Sequence, residues 1–406
     1  MPIAALRGWT REQKHVVAAS YLGWTLDAFD FFLLVFVVTD IAKEFAARVP
    51  TILIAITLTL ALRPVGAFIF GRLADRYGRR PVLMLDVMLY AALAFASAFA
   101  PNLFVFLVLR ALFGIAMGGE WGIGASLTME SIRPDSRGVV SGILQSGYAS
   151  GYLIASVAYG VLFPWFGWRG LFLLGILPAL LVLYIRRNVP ESPGWSPARG
   201  REGRAADVLR RHWRLALYAV LLMTCFNFFS HGTQDLYPTF LKVDHGFTPR
   251  EVSTIVVIAN IGAILGGLVF GILSQHLGRR RMIAVGALLC LPMLPLWAFS
   301  QSAVLLTLGA FAMQFLVQGC WGLVPAHLNE LSPAEARGTF PGVVYQLGNF
   351  FASSNAWLQG VLAISLGSYG VSLAVVCAIG AIMLAFFASI GSEAKDVDLR
   401  VALPAE

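Results

Sequence analysis

Gly71-Arg-Leu-Ala-Asp75-Arg-Tyr-Gly78-Arg79-Arg80 returns two hundred residues later as Gly271-Ile-Leu-Ser-Gln275-His-Leu-Gly278-Arg279-Arg280. The same offset joins Glu130 with Arg137-Gly138 to Glu330 with Arg337-Gly338, and Trp121-Gly122 to Trp321-Gly322. A constant offset over three segments divides the chain into two equivalent halves, and a repeat of this kind sets the architecture before any site does.

What surrounds these polar stretches is almost entirely apolar. Of 406 residues, 58% are hydrophobic and 13% charged, against about a quarter charged in a soluble domain, and mean hydropathy is +0.75. A water-soluble protein is excluded. A membrane helix needs about 20 apolar residues, and twelve such spans fit at 15–38, 50–72, 81–99, 103–127, 138–162, 169–187, 214–240, 251–274, 281–299, 303–326, 338–364 and 369–391. The fold class is therefore an all-α membrane protein of twelve transmembrane helices in two six-helix halves. The expected division is an N-terminal bundle over 1–188, a cytoplasmic linker over 189–213, and a C-terminal bundle with a short cytoplasmic tail over 214–406. The start at Met1 has no short apolar region with a small-residue cleavage site, so the first span is expected to be retained.

Lys and Arg gather on the cytoplasmic side of short loops. Twenty-three of the 30 fall in segments on the same face as the N-terminus, which predicts that both termini are cytoplasmic, in a bacterial inner membrane. The net charge of +8 follows from this bias and from attraction to anionic lipid rather than from nucleic-acid binding. Cys225, Cys290, Cys320 and Cys377 stand singly within spans, without the spacing of a metal or disulfide framework. No phosphate-binding loop, His-Glu-x-x-His or Gly-x-Ser-x-Gly occurs, so neither an enzyme nor a cofactor is expected.

Gly71 to Arg80 resembles the signature that the major facilitator superfamily carries between its second and third helices, and Arg110-Ala-Leu-Phe-Gly114-Ile-Ala-Met-Gly118 resembles its fourth-helix pattern. The resemblance covers essentially the whole chain. It implies two six-helix halves with the substrate held between them near the midplane. It also implies a cytoplasmic latch of Gly71, Asp75, Arg79, Glu130 and Arg137. There the glycines allow close helix approach, and Asp75 pairs with Arg137 or faces a helix N-terminus. Gln275 replaces the acid in the second half, which predicts a weaker latch there. The alternative is a solvated loop that only fixes topology.

An ionised side chain at the bilayer centre costs about 3 kcal/mol or more, so each one in a span is a functional candidate. These are Asp27, Asp30, Arg63, Asp86, Arg110, Glu120, His231 and Asp235. Asp27 and Asp30 share a helix face, where like charges favour proton uptake. Arg63 lies eight residues before Gly71, about 12 Å along a helix, where a fixed cation serves either a carboxylate ligand or as a partner for Asp27 or Asp30. Arg110 has the same two roles open, while Asp86 and Glu120 read as helix-packing or gate residues.

In the seventh span, Asn227, His231 and Asp235 recur every fourth residue with Ser230 and Gln234 beside them, so they share one face. Against lipid such a stripe is costly, and it predicts a wet cavity. Asn227 to Thr239 also resembles the signature of the Jen-type lactate and pyruvate permeases of fungi. That resemblance implies that Asn227, His231, Gln234 and Asp235 carry substrate recognition and proton coupling, and that Gln346 and Asn349 touch substrate. Leu26 to Phe31 is similar to the first helix of the sialate and aromatic-acid proton symporters. Tyr148 is a candidate pocket wall, with packing the simpler role.

The expected function is proton-coupled symport of a short monocarboxylate of the lactate and pyruvate class, by rocking of the halves. Substrate contacts are expected from Arg63, Arg110, Tyr148, Asn227, His231, Gln234, Gln346 and Asn349. Proton coupling is expected from Asp27, Asp30, His231 and Asp235. The alternatives are another organic acid, such as a sialic or aromatic acid, or a transporter-like sensor or lipid-handling protein. The expected partners are an organic acid anion, a proton and the bilayer, with no obligatory protein partner and a functional monomer.

Overall fold

The structure is a computed structural model that describes residues 9–132, 137–191, 210–333 and 340–393. The side chains of Asp75, Glu130 and Arg137 lie outside the described set, as does Arg337. Among the described residues there are helices and turns and no strand.

The N-terminal half comprises α1 (Arg11–Glu44), α2 (Val49–Tyr77), α3 (Arg79–Ser97), α4 (Leu103–Ser131), α5 (Arg137–Leu173) and α6 (Pro178–Asn188). The C-terminal half comprises α7 (Trp213–Gln234), α8 (Tyr237–Val243), α9 (Pro249–Leu277), α10 (Arg279–Leu289), α11 (Leu294–Ala298), α12 (Ala303–Trp321), α13 (Val324–Leu331), α14 (Phe340–Ala352), α15 (Asn355–Leu366) and α16 (Tyr369–Ile390). Within the described residues, nine helical stretches are long and apolar enough to cross a membrane.

Three features reconcile that number with twelve spans. The expected spans 138–162 and 169–187 form one stretch, Val139–Asn188, folded back at Gly167, whose φ of +62° is open to glycine. The expected span 338–364 is broken between α14 and α15. The first span, α1, is not among the nine. It is longer than expected, and every residue from Asp27 to Val38 is buried, so it is walled in by protein rather than by lipid.

The repeat read in the sequence is geometric. Helices α2 and α9 share their bounds at an offset of 200, and each ends at a glycine, Gly78 at φ +101° and Gly278 at φ +92°. Gly66 and Gly266 are where backbones meet. A Cβ on Gly66 would fall 1.7 Å from the Ile115 carbonyl oxygen of α4, and one on Gly266 would fall 1.9 Å from that of Phe315 on α12. Only a residue without a side chain permits this approach.

On the face that carries the described chain ends, Glu191 accepts from the backbone N–H groups of Arg79 (2.8 Å) and Arg80. Two hundred and two residues later, Glu393 accepts from Arg279 (3.2 Å) and Arg280 (3.2 Å). A carboxylate at a helix N-terminus satisfies free N–H groups and meets the positive end of the helix dipole. Each half thus fastens its Gly-Arg-Arg turn to the segment that follows its own last helix. In the C-terminal half Arg279 also pairs with Glu330 at 3.2 Å.

The halves touch at both ends of the bundle. On the side of the described chain ends, the Ser141 hydroxyl donates to the Gly322 carbonyl (3.2 Å) and accepts from the Ala326 N–H (3.1 Å), and Gly122 and Gly342 meet backbone to backbone. On the opposite side, Lys242 Nζ donates to the Phe36 carbonyl (2.8 Å) and pairs with Asp40 (3.1 Å). Nearby in the N-terminal half, Glu44 accepts from Trp168 and from Arg169. Burial alone would raise the Glu44 carboxyl, but these bonds hold it below the ordinary carboxylate range.

Candidate functional site

A small cavity lies between the halves, lined on one side by Trp24, Gln145 and Tyr148 and on the other by Asn227, Ser230, His231, Gln318, Trp321 and Tyr345. None of these is more than 4% exposed, so the cavity is shut from both faces. Its walls are aromatic. Trp24 stacks on Tyr148 at 5.3 Å, and Trp321 meets Tyr345 edge-on at 5.8 Å, with Trp121 stacked behind Tyr345 at 4.3 Å.

Polar groups reach it from α7. His231 Nδ1 lies 3.0 and 3.1 Å from the two oxygens of Asp235, one turn away, which leaves Nε2 as the nitrogen free for the cavity. Phe31 packs edge-on against the imidazole at 5.8 Å. Asn227 donates to the Met223 carbonyl (2.8 Å), and its Oδ1, like Oε1 of Gln145, has no partner among the described residues. Two buried acceptors on opposite walls therefore await a donor. Gln318 donates to the Ser230 hydroxyl at 3.2 Å, which fixes the remaining amide.

Of the substrate contacts expected from sequence, Tyr148, Asn227 and His231 line the cavity. Gln234 lies behind them, donating to Gln314 at 2.8 Å. Asn349 donates to Gln346 at 2.9 Å, and Gln346 donates to the Gly118 carbonyl across the halves at 3.2 Å; this pair holds α14 to α4 rather than lining the cavity. Arg110 faces away from it. Its guanidinium donates to Ser97 and to the Leu93 carbonyl, between the rings of Phe113 and Phe172. Arg63 occupies a middle position, donating to Met117 Sδ at 2.7 Å, 5.6 Å from the Phe31 centroid, with Nε unpartnered among the described residues. Its charge reaches Asp27 and the wall tyrosines Tyr148 and Tyr345.

Around Arg63 and Arg110 the N-terminal half gathers its buried acids. Asp27, Asp30 and Asp86 are fully buried and Glu120 nearly so. The carboxylates of the three aspartates, and Oε2 of Glu120, lack hydrogen-bond partners among the described residues. Trp24, Gln145, Gln318, Trp321 and Tyr345 are site residues that the sequence reading did not single out. The available signal was polarity within apolar spans for the two glutamines, and for Trp321 its place in the repeat.

The profile described as Major Facilitator Superfamily matches residues 20–236 and 233–400. The chain is 28% identical over 397 residues to the sialic acid transporter NanX of Escherichia coli (strain K12), covering 96% of this chain and 97% of that one. It is 30% identical over 393 residues to a carboxylic acid transporter protein homolog of Saccharomyces cerevisiae (strain ATCC 204508 / S288c), covering 89% of this chain and 63% of that longer protein. Among solved structures, the proton:xylose symporter XylE superposes with a TM-score of 0.73 at 17% identity, over 95% of this chain and 97% of that one; at that identity the likeness speaks to fold. The matched halves, the repeated turn and a closed cavity between two bundles lead to one conclusion: the chain is a multi-pass membrane protein that belongs to the major facilitator superfamily.

Proposed function

We propose that the protein is a proton-coupled symporter of a short monocarboxylate, of the lactate and pyruvate class, working as a monomer with both termini cytoplasmic in a bacterial inner membrane. The observation that carries this reading is the His231–Asp235 pair on the cavity wall (3.0 Å). An imidazole backed by a carboxylate takes up a proton and then presents a cation to an anion. The substrate carboxylate binds at protonated His231, and the unpartnered oxygens of Asn227 and Gln145 accept from a hydroxyl of the acid or from water. The named activities of the two relatives, a sialic acid transporter and a carboxylic acid transporter homolog, support an organic acid as cargo.

The aromatic walls favour a second reading, a planar or larger acid held between Trp24 with Tyr148 and Trp321 with Tyr345. The test is uptake of labelled lactate by proteoliposomes under an inward proton gradient, with unlabelled pyruvate, sialic acid and an aromatic acid as competitors. Lactate accumulates, pyruvate competes best, and His231→Ala or Asp235→Asn lowers accumulation by about 10- to 100-fold. Full accumulation in both variants defeats the seventh-helix role. Strong competition by the larger acids alone selects the second reading.

A further inference from the structure

A second small cavity adjoins the central one at Trp24 and is otherwise walled mainly by Ser20, Glu120, Trp121, Gly124, Leu144 and Pro325. Helix α1 runs outward from the face of the described chain ends and α4 runs back toward it. Ser20 and Gly124 are therefore the inner members of this wall, joined by a hydrogen bond of 3.2 Å. Glu120 is 1% exposed, its Oε2 has no partner among the described residues, and its carboxylate is part of the wall.

The position of that carboxylate along α1 is fixed by a glycine. A Cβ on Gly23 would come 2.4 Å from Glu120 Oε1, so the acid is pressed against the helix at Gly23. Asp27 is one turn further out on the same face. Asp27 and Glu120 therefore stand in order along α1, from the level of the central site to the inner cavity. The titratable and charged groups that interact with Glu120 through charge are Asp27 on α1, Arg63 on α2, Asp86 and Tyr90 on α3 and Tyr345 on α14. Arg63 is the only cation among these five, and its charge bears on both Asp27 and Glu120.

We infer that Glu120 is the proton-release group of the transporter, receiving the proton from Asp27 and passing it into the inner cavity. The inference rests on the proton-coupled reading above. The O–H bond of the Asp27 carboxylic acid breaks, and its proton passes through an intervening water to the Glu120 carboxylate. The Glu120 O–H bond then breaks to water in the inner cavity, and the proton leaves on the face of the chain ends. Moving one proton between two buried carboxyls leaves the net buried charge unchanged, so the transfer adds no uncompensated charge to the low-dielectric interior.

The test uses the full chain in proteoliposomes with labelled lactate as the probe and two assays: accumulation under an inward proton gradient, and lactate–lactate exchange at equal pH, which needs no net proton movement. In Glu120→Gln, gradient-driven accumulation is expected to fall about tenfold or more while exchange stays within about twofold of the unmodified protein. Glu120→Asp, which keeps an acid, recovers part of the accumulation. Retained exchange certifies a folded, rocking protein. Accumulation unaffected by Glu120→Gln, or exchange lost along with it while Glu120→Asp behaves the same way, overturns the assignment. Unmodified protein whose uptake ignores the proton gradient overturns the proton-coupled reading itself, a result visible before any variant is made.

Discussion

In the N-terminal half, buried positions 27, 30, 63, 86, 110 and 120 hold Asp, Asp, Arg, Asp, Arg and Glu; two hundred residues on, their counterparts are Asn227, Ser230, Ala263, Gly286, Ala310 and Cys320. The exchange also runs the other way. Phe31 and Val35 correspond to His231 and Asp235, Gly114 and Gly118 to Gln314 and Gln318, and Ala149 to Asn349. One framework therefore carries two chemistries, a nest of ionisable groups in the first half and a hydrogen-bonding wall of amides with a single His–Asp pair in the second. Acids crowded among cations can exchange protons without large change in buried charge, whereas amides read a ligand by geometry and stay neutral. The two sets lie in opposite halves, and His231 puts one imidazole among the amides and aromatic rings that line the central cavity.

The framework is what the halves share, so damage to it is expected to be the largest effect and to be symmetric. Gly66→Val and Gly266→Val each drive a branched side chain into a carbonyl less than 2 Å from the Cβ position. Both should cost at least ~3 kcal/mol and remove most folded protein in a detergent melting assay. A large loss in only one half would break the equivalence. Next comes the exchange of chemistries. Asp27→Asn gives the first half its counterpart's residue and should lower gradient-driven accumulation about 100-fold, ~2.7 kcal/mol in barrier; an unchanged rate would mean that ionisable groups in the first half are dispensable. The smallest effect is expected at the Lys242–Asp40 ion pair between the halves. Lys242→Met removes the contact to Asp40, a partly exposed pair worth ~1 kcal/mol. It should raise opening toward the outer face by about fivefold, read as faster deuterium uptake at the outer end of α1, with high salt producing a similar change in the unmodified protein.

The fold was legible because the repeat is a backbone property. Gly78 and Gly278 are needed for the same positive φ, and Gly66 and Gly266 for the same close contact, so sequence and structure carry the offset together. The break at Gly167 and the division of the eleventh span between α14 and α15 were not legible, since apolar composition reports length and not continuity. Within the site, the polar stripe of α7 pointed to Asn227 and His231 because three i, i+4 positions are costly against lipid. Gln346 and Asn349 fit that logic equally well but donate to Gly118 and to Gln346 instead of lining the cavity; a polar residue in a span declares that it is sheltered, not by what. Trp24, Trp321 and Tyr345 carry no such cost, so nothing in their residue types separated them from the packing aromatics around them. The Glu191 clasp was missed because its partners are backbone N–H groups, which every sequence has.

The inner contact between Gly122 and Gly342 has a consequence in thiol chemistry. A Cβ on either glycine would lie about 4 Å from the other's Cα, within the range that disulfide geometry spans. All four native cysteines are buried and unpaired. A Gly122→Cys, Gly342→Cys protein would thus carry a pair of thiols at the seam between the halves, and an oxidant would act as a bolt that a reductant withdraws.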